Sequence, residues 1–396
     1  MLRAMAAERE REVLRYFARL GFIAFGGPAA HIALMRRELV QQRGWISDGE
    51  FMDVLGAANL IPGPNSTELT MHIGALRAGP RGLWIAGFAF ILPAITIVLG
   101  LAWAYVRWGT TAAGEALLWG VHPLILAVVL QAIWGLRTAA LRTRASIVIA
   151  AVVAAGAIAG FNELILLLGG GAALLAFRLG PGRTRALIQR ASRRAPLLIP
   201  PVAPWALTGL AAPAAAVTPA AVSRLELFLI FLKVGGLLYG SGYVLVSFMQ
   251  ADLVDARGWL THQQLLDAIA AGQFTPGPLF SSATFAGYVI DGFAGAALAT
   301  ADIFLPSFVL VAATHRFVPL LRRSSWAAPF LDGVNAASIA LMAVVTISLA
   351  GDALDTPVAI LLFAGGVAWL LRWNPNTAWL VVAGLIAGLC RWAITG

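Results

Sequence analysis

The sequence predicts an all-α polytopic membrane protein made of two inverted-topology repeats, in which broken helices either re-enter the bilayer or cross it. The first observation is composition, because 60% of the residues are hydrophobic, 12% are charged and the mean hydropathy is +0.82. The second is an internal repeat, in which motifs of the first half recur in the second at a constant spacing. The third is that equivalent loops of the two halves differ in charge.

Eight apolar segments approach or reach the length that spans a bilayer. They lie at 82–106, 115–135, 145–160, 163–178, 294–314, 326–350, 356–371 and 376–394. The N-terminal segment carries several charges and no apolar core, so no cleavable signal peptide is expected. This pattern predicts a multi-pass protein whose partner is the lipid bilayer.

Rare residues mark the repeat. In the register that places Trp45 on Trp259, three motifs of the first half fall on three motifs of the second. They are Arg43-Gly44-Trp45-Ile46-Ser47 on Arg257-Gly258-Trp259-Leu260-Thr261, Pro62-Gly63-Pro64 on Pro276-Gly277-Pro278, and Phe25-Gly26-Gly27-Pro28 on Tyr239-Gly240-Ser241-Gly242. After a one-residue deletion, the matches continue as Gly74, Gly79 and Pro93 on Gly287, Gly292 and Pro306. An apolar chain that repeats its glycine and proline breaks is typical of a secondary transporter.

The repeat predicts three regions: a first membrane repeat at 1–178, a linker at 179–223, and a second, inverted membrane repeat at 224–396. The linker begins with a basic stretch, since residues 178–194 contain six arginines, and this stretch is expected to be cytoplasmic. The remainder, 195–222, is apolar but contains six prolines. It is either a loop on the membrane surface or one imperfect crossing.

Loop charges favour the crossing. Arginines follow the apolar segment 115–135 of the first half, whereas aspartates follow the matching segment, 326–350, of the second. These residues are Arg137, Arg142 and Arg144 in the first half and Asp352 and Asp355 in the second. Since basic loops stay in the cytoplasm, the equivalent loops are expected on opposite sides of the membrane, which requires an odd crossing between the halves. An inverted repeat is a common plan for alternating access.

Composition and motifs also exclude several functional classes. The net charge of +9 is expected to mark cytoplasmic loops rather than a nucleic-acid surface. Cys390 is the only cysteine, so neither an internal disulfide nor a cysteine-based metal cluster can form. The sequence contains no Walker loop, dinucleotide fingerprint, catalytic triad or clustered metal ligands. We therefore expect no enzyme activity, no catalytic residue, no cofactor, no metal site and no ATP-driven pumping.

Glycine- and proline-rich motifs break the first two elements of each half. In the first half, residues 13–40 are broken by Phe25-Gly26-Gly27-Pro28 and residues 51–78 by Pro62-Gly63-Pro64. Proline lacks an amide donor and clashes with the preceding turn, so neither element is one continuous helix. A broken backbone at membrane depth is tolerated only where it is buried in protein or lines a wet cavity.

The Pro-Gly-Pro breaks suggest an anion site. Pro64 suits the first position of a new helix, which leaves the following amides, those of Asn65, Ser66 and Thr67, without helical partners. Pro278 does the same for residues 279–281. Free amides and hydroxyls at a helix N-terminus bind anions readily. The alternative is that both breaks are packing kinks.

Ionisable residues near the breaks form a second set of candidates. Lys233 is the only lysine of the chain and its repeat mate is Arg19, so the two either supply positive charge to a substrate or extend to the headgroup region. Glu68 and His72 are four residues apart on one helix face and form either a proton site or a stabilising pair. Asp302, inside an apolar run, is a weaker candidate.

The Arg-Gly-Trp turns are expected to be interfacial anchors followed by capping boxes, which pair Ser47 with Glu50 and Thr261 with Gln264.

The Phe-Gly-Gly-Pro motif, the Arg-Gly-Trp turn and the Pro-Gly-Pro break, with their echo in the second half, closely resemble the chromate ion transporter family in its long, two-domain form. The resemblance implies an inner-membrane exporter of chromate, an oxyanion similar to sulfate, in a bacterium or archaeon. The family's first motif maps to residues 25–28. Its Pro-Gly-Pro signature maps to residues 62–64 and is echoed at residues 276–278.

The function expected is therefore export of a tetrahedral oxyanion, chromate before sulfate, by alternating access, with the anion at half-helix N-termini near the midplane. The expected binding residues are Gly26, Gly27, Gly63, Asn65, Ser66, Thr67, Gly240, Gly277, Ser281, Ser282, Arg19 and Lys233, with Glu68 and His72 as candidates for proton coupling. The alternative is an anion channel or uniporter for the same oxyanions. A membrane scaffold without transport is disfavoured by the paired breaks. A homodimer is compatible with the sequence.

Overall fold

Helices form every regular element in the residues that the computed structural model describes, which are 2–25, 27–59, 61–194, 222–238, 244–315, 327–373 and 376–395. The first half contains α1 (Leu2–Ile23), α2 (Gly27–Met35), α3 (Asp48–Ala58), α4 (Asn65–Trp108), α5 (Ala112–Ala140), α6 (Arg144–Ile158) and α7 (Glu163–Arg194). The second half contains α8 (Arg224–Leu237), α9 (Val244–Met249), α10 (His262–Phe274), α11 (Ser282–Thr314), α12 (Ala327–Ala353), α13 (Pro357–Trp373) and α14 (Ala378–Thr395). Short π-helical segments, Arg36–Gln42 and Gln250–Asp255, follow α2 and α9.

The prediction of an all-α polytopic membrane protein is confirmed. Five of the described helices are long and apolar enough to cross a membrane, and three shorter ones are also apolar. Large apolar side chains are exposed on their outer faces, for example Ile158 at 75% and Ile394 at 83%, as expected of surfaces that contact lipid. The predicted proline-rich crossing at 195–222 lies outside the described residues, apart from Val222. The basic stretch before it is the end of α7.

Both predicted capping boxes form. The Ser47 side chain accepts from the Glu50 amide while the Glu50 carboxylate accepts from the Ser47 amide, which starts α3. Thr261 and Gln264 do the same at the start of α10. Each box therefore fixes where the helix before a Pro-Gly-Pro break begins.

The helix that follows each break reverses direction. In α4, Ala78 and Gly79 leave the helical conformation and Gly79 takes a φ of 69°, so residues 65–77 (α4a) fold back on residues 80–108 (α4b). The two arms touch where Gly74 faces Gly82, since a Cβ on either residue would overlap the other's carbonyl oxygen. The same reversal in α11 divides it into residues 282–290 (α11a) and 293–314 (α11b), and there Gly287 faces Gly295. The matching glycines of the repeat thus permit two close helical hairpins.

Ion pairs connect segments of the first half that are separated in sequence. Arg77 at the end of α4a pairs with Glu12 of α1 at 2.7 Å, and Arg36 after α2 pairs with Asp48 of α3 at 2.7 Å. At about 1.5 Å per residue, α4a is shorter than an apolar core of about 30 Å, so it does not span such a core by itself.

The last helices of each half pack on the other half. Helix α5 contacts α13 and α14, whereas α12 contacts α6 and α7. The two halves also meet directly where α4 contacts α11 and α5 contacts α12. Arg178 of α7 pairs with Asp332 in the first turns of α12 at 2.9 Å. Because each half packs against the other in this way, both breaks lie at the interface between the halves.

Candidate anion site at the Pro-Gly-Pro breaks

Each Pro-Gly-Pro break is hydrogen-bonded to the opposite half. The Gly63 amide donates to the carbonyl of Leu238 at 2.6 Å, and the Gly277 amide donates to the carbonyl of Ala24 at 3.0 Å. The two donors are repeat mates, and so are the two acceptors, in the register that aligns the Pro-Gly-Pro motifs. The φ angles of 139° at Gly63 and 103° at Gly277 are ones that residues with a Cβ rarely adopt. Since these two amides already donate to backbone carbonyls, they are not free donors for an anion. The glycines instead allow other groups to come close to the backbone.

The space beside the two glycines differs between the halves. A Cβ on Gly63 would overlap the Ser307 hydroxyl and the Glu68 carboxylate. A Cβ on Gly277 would lie 2.9 Å from the Cβ of Ala94. Ser307 and Ala94 are repeat mates after the one-residue deletion, so the first break faces a hydroxyl where the second faces a methyl group.

The backbone after each break departs from the prediction in two details. Pro64 is the N-cap residue, and the helix begins at Asn65 rather than at the proline. The Thr67 amide donates to the Pro64 carbonyl at 2.7 Å and the Ser281 amide to the Pro278 carbonyl at 3.0 Å, so the prediction that these amides lack partners is wrong. The cause is a tightened first turn with bonds between residues three apart, which pairs one orphan amide of a helix end.

The amides of Asn65 and Ser66 donate to no backbone carbonyl of the described residues. The Asn65 side chain is engaged locally, since its amide donates to the Asn59 Oδ1 atom at 2.7 Å. These two backbone amides are therefore the free donors at the start of α4a.

The four predicted hydroxyls are buried and unpaired. Ser66, Thr67, Ser281 and Ser282 are at most 1% exposed, and none of their hydroxyl oxygens has a hydrogen-bond partner in the described part of the protein. The Ser307 hydroxyl shares this condition. Buried polar groups without partners are uncommon and costly, so these hydroxyls are donors whose hydrogen bonds the described residues do not satisfy. Sequence reasoning missed Ser307, although its position next to Pro306 was a usable signal.

The two candidate proton residues are buried on α4a. Glu68 is 0% exposed and His72 is 2% exposed. The Glu68 carboxylate faces the Ser307 hydroxyl, but neither of its oxygens makes a hydrogen bond of good geometry. No ion pair joins Glu68 to His72 within the described residues. The geometry therefore does not support the alternative of a stabilising pair.

The two predicted cations are each paired with a carboxylate. Arg19 of α1 forms an ion pair with Glu38, and the Lys233 ammonium of α8 lies 2.5 Å from an Asp252 oxygen. Glu38 and Asp252 are repeat mates on the two π-helical segments. Each pair therefore holds a helix, α1 or α8, against the π-helical segment of the same half. Each positive charge is balanced by a carboxylate. The sequence offered a signal for these pairs, because the repeat register that aligns Arg19 with Lys233 also aligns Glu38 with Asp252.

The glycines of the first motifs are placed only in part. Gly27 begins α2 with a φ of 75°, and no atom lies within 4 Å of the position a Cβ would take. Gly26 and Gly240 lie outside the described residues. The Ala24 carbonyl, which accepts from the Gly277 amide, also lies 2.9 Å from His31 Nε2. Asp302 is buried in α11b and one of its oxygens is unpaired among the described groups.

The chain matches the family model described as "Chromate transporter" at residues 11–175 and again at residues 225–389. The chromate transport protein of Pseudomonas aeruginosa is 34% identical over 388 residues, which cover 96% of this chain and 91% of that protein. The probable chromate transport protein of Synechococcus elongatus is 29% identical over 389 residues, 97% of this chain and 96% of that one. The chromate transport protein of Cupriavidus metallidurans is 30% identical over 377 residues, 94% of this chain and 91% of that one. No solved structure matches.

Proposed function

We propose, because this chain belongs to the chromate transporter family, that it is a secondary transporter that exports chromate, with sulfate as a related substrate. The chain is a multi-pass membrane protein and a transporter rather than an enzyme. The proposal places the anion at the two Pro-Gly-Pro breaks and moves it by alternating access across the inner membrane.

The observation that carries this proposal is the set of buried, unpaired hydroxyls at both breaks. Chromate is a tetrahedral dianion whose oxygens accept hydrogen bonds, and at membrane depth its hydration must be replaced by fixed donors. The donors available are the hydroxyls of Ser66, Thr67, Ser281, Ser282 and Ser307. The free amides at the start of α4a add two more, in the positive field of a helix N-terminus. Uncharged donors hold the anion without binding it irreversibly.

The Glu68 carboxylate would repel a dianion at this site unless it carries a proton. Two negative charges in a medium of low polarity repel each other strongly, and no basic residue forms an ion pair with Glu68 within the described structure. We therefore assign Glu68 a proton when the anion is bound, with His72 as the next titratable group along α4a. This makes the anion and a proton bind together.

Arg19 and Lys233 would contribute to the site by exchanging partners. Each cation lies on a helix that leads into a break and is now balanced by Glu38 or Asp252. An arriving dianion would compete with these carboxylates for the cations. Such an exchange would link substrate binding to movement of the hairpins.

Alternating access fits an inverted relation between the halves. Helices α5 and α12 are repeat mates, and the first turn of α5 and the last turn of α12 line the same cavity, so the two helices run antiparallel. In inverted repeats, rocking of one repeat against the other exposes a central site to each side in turn. The cross-half bonds of Gly63 and Gly277 would be the contacts that change.

The test is chromate flux in proteoliposomes under imposed proton and potential gradients. Accumulation of chromate against its own electrochemical gradient, beyond what the imposed potential alone would give, supports a coupled carrier. Flux that runs only downhill and saturates weakly favours the alternative, an anion channel or uniporter. Absence of chromate-dependent flux in vesicles that contain folded protein would contradict the proposal.

A further inference from the structure

A second buried titratable pair lies away from the breaks and joins the two halves. His122 Nε2 of α5 lies 2.7 Å from the Asp267 Oδ1 atom of α10, and the two residues are 8% and 4% exposed. Tyr105 of α4b lines the same cavity as these two residues. Because both side chains are largely buried, breaking this contact leaves each of them without its partner, which is costly.

This pair faces a large acidic cavity. The cavity has a volume of about 910 Å³, and its lining includes Tyr105, His122 and Asp267. The charged residues around it are Glu115 of α5, Asp352 at the end of α12, Asp355 just after it, and Arg391 of α14. His262, at the start of α10, lies 2.6 Å from Asp352, and α11 contributes Val289 to the wall.

The charge of the cavity selects protons over chromate. Counting Asp267, four carboxylates line it against one guanidinium. A cavity of one predominant sign with apolar walls concentrates ions of the opposite sign and excludes those of its own. A dianion is therefore disfavoured here, whereas protons are concentrated next to His122.

Helix α10 connects this pair to the second break. Asp267 lies in the middle of α10, which ends at Phe274 and is followed directly by the residues of the break, Thr275 to Pro278. The Gly277 amide in that break is bonded across the halves to Ala24. A change in the attachment of α10 to α5 therefore acts on the contact that holds the break.

The repeat shows that this titratable pair belongs to one half only. Asp267 matches Asp53, but the run Gly120-Val121-His122 matches Gly333-Val334-Asn335 after the one-residue deletion. An asparagine side chain does not bind a proton in the physiological range. The first half therefore has an imidazole where the second half has an amide.

We propose that His122 and Asp267 form a proton-binding site fed by the acidic cavity, and that proton binding loosens the link between α5 and α10 during transport. A proton on Asp267 cancels the charge that attracts the imidazolium, so α10 and the second break are released from the first half. The coupling part of this proposal rests on the proposed transport of chromate, but the proton binding does not. The pair acts on the binding site through α10 and does not touch the anion.

The test uses His122→Asn, which copies the residue of the other half, and Asp267→Asn. The matched control is Asp332→Asn, because Asp332 also joins the halves by an ion pair, to Arg178, but lies outside the cavity lining. Infrared difference spectra of the purified full chain during a pH titration report carboxyl protonation without any substrate. Chromate binding and gradient-driven chromate flux are measured on the same variants.

We expect one protonated-carboxyl band to be lost in Asp267→Asn, shifted in its pH midpoint in His122→Asn, and unchanged in Asp332→Asn. We also expect both cavity variants to bind chromate as the parent does but to lose its accumulation under a proton gradient. A full set of carboxyl bands in Asp267→Asn, or parental gradient-driven accumulation in both cavity variants, would overturn the proposal. If the parent protein fails to bind chromate, that result contradicts the proposed anion site alone. The infrared measurement of proton binding is independent of it, because it uses no substrate.

Discussion

The Gly63 amide donates to the Leu238 carbonyl at 2.6 Å and so joins the first Pro-Gly-Pro break to the end of the first helix of the second half. The equivalent bond, from Gly277 to Ala24, makes the reverse connection. In each bond, the broken backbone of one half donates to a carbonyl of the other half. The two breaks are therefore parts of one structure, and a movement that separates the halves alters both of them.

Replacing Gly63 by Val is expected to abolish transport, and replacing Gly277 by Val to reduce it strongly. The difference arises because a Cβ at position 63 overlaps Ser307 and Glu68, whereas one at position 277 meets a single methyl group at 2.9 Å. Both positions also have φ angles unfavourable for valine. Chromate flux per folded protein, after normalisation by size-exclusion chromatography, checks this order.

The matched control for these variants is Gly100→Val, because Gly100 lies in α4b with no atom within 4 Å of the position of a Cβ. It should transport as the parent does. Parental transport by folded Gly63→Val and Gly277→Val proteins would show that the breaks are packing kinks and that the anion binds elsewhere.

Removing single hydroxyls should weaken chromate binding moderately. Ser66→Ala and Ser281→Ala each delete one unpaired donor, and a hydrogen bond is worth about 1 kcal/mol net, or about fivefold in Kd. Because the hydroxyls have no partner among the described residues, the same changes should not lower the melting temperature. Thr96→Ala serves as the control, since the Thr96 hydroxyl donates to its own helix at Leu92. A drop in stability without any change in affinity would make these hydroxyls structural.

The ion pairs of Arg19 and Lys233 can be separated into structural and binding roles. Arg19→Gln should weaken chromate binding and also leave the Glu38 carboxylate without its partner. The double variant Arg19→Gln with Glu38→Gln should recover stability but not affinity if the cation faces the anion. Lys233 and Asp252 provide the parallel pair. Recovery of affinity in both double variants would limit the two cations to holding the hairpins together.

Labelling of single cysteines should place equivalent loops on opposite sides of the membrane. Cys390 is exposed and is first replaced by Ser, after which cysteines are introduced at Arg142 and at Asp355. An impermeant maleimide added to intact cells should then label the cysteine at position 355 but not that at position 142. Equal labelling of the two positions from outside would be incompatible with inverted halves.

Local chemistry was sufficient to predict much of the fold from the sequence. Helix starts at Ser47 and Thr261 follow from capping boxes, and the break at Gly63 follows from the flanking prolines. Hydropathy located the membrane helices because bilayer thickness sets their length. The buried hydroxyls of Ser66 and Ser281 also lie where the sequence placed them, at the two breaks.

The remaining features depend on contacts between distant segments. The repeat register shows that Glu38 matches Asp252, but not that each faces the cation of its own hairpin. No local sequence pattern predicts that α13 and α14 pack on α5, or that Ser307 lies close to Gly63. The amides of Thr67 and Ser281 were mispredicted because first turns tighten when this satisfies an orphan donor.

The position of the bound anion distinguishes the proposed site from any other. Crystals of the protein soaked in chromate would give an anomalous difference map at the chromium absorption edge. We predict a peak between the two breaks, within hydrogen-bonding distance of the Ser66 and Ser281 hydroxyls and beside Ser307. A well-occupied peak confined to another part of the molecule, with the space between the breaks empty, would contradict the account.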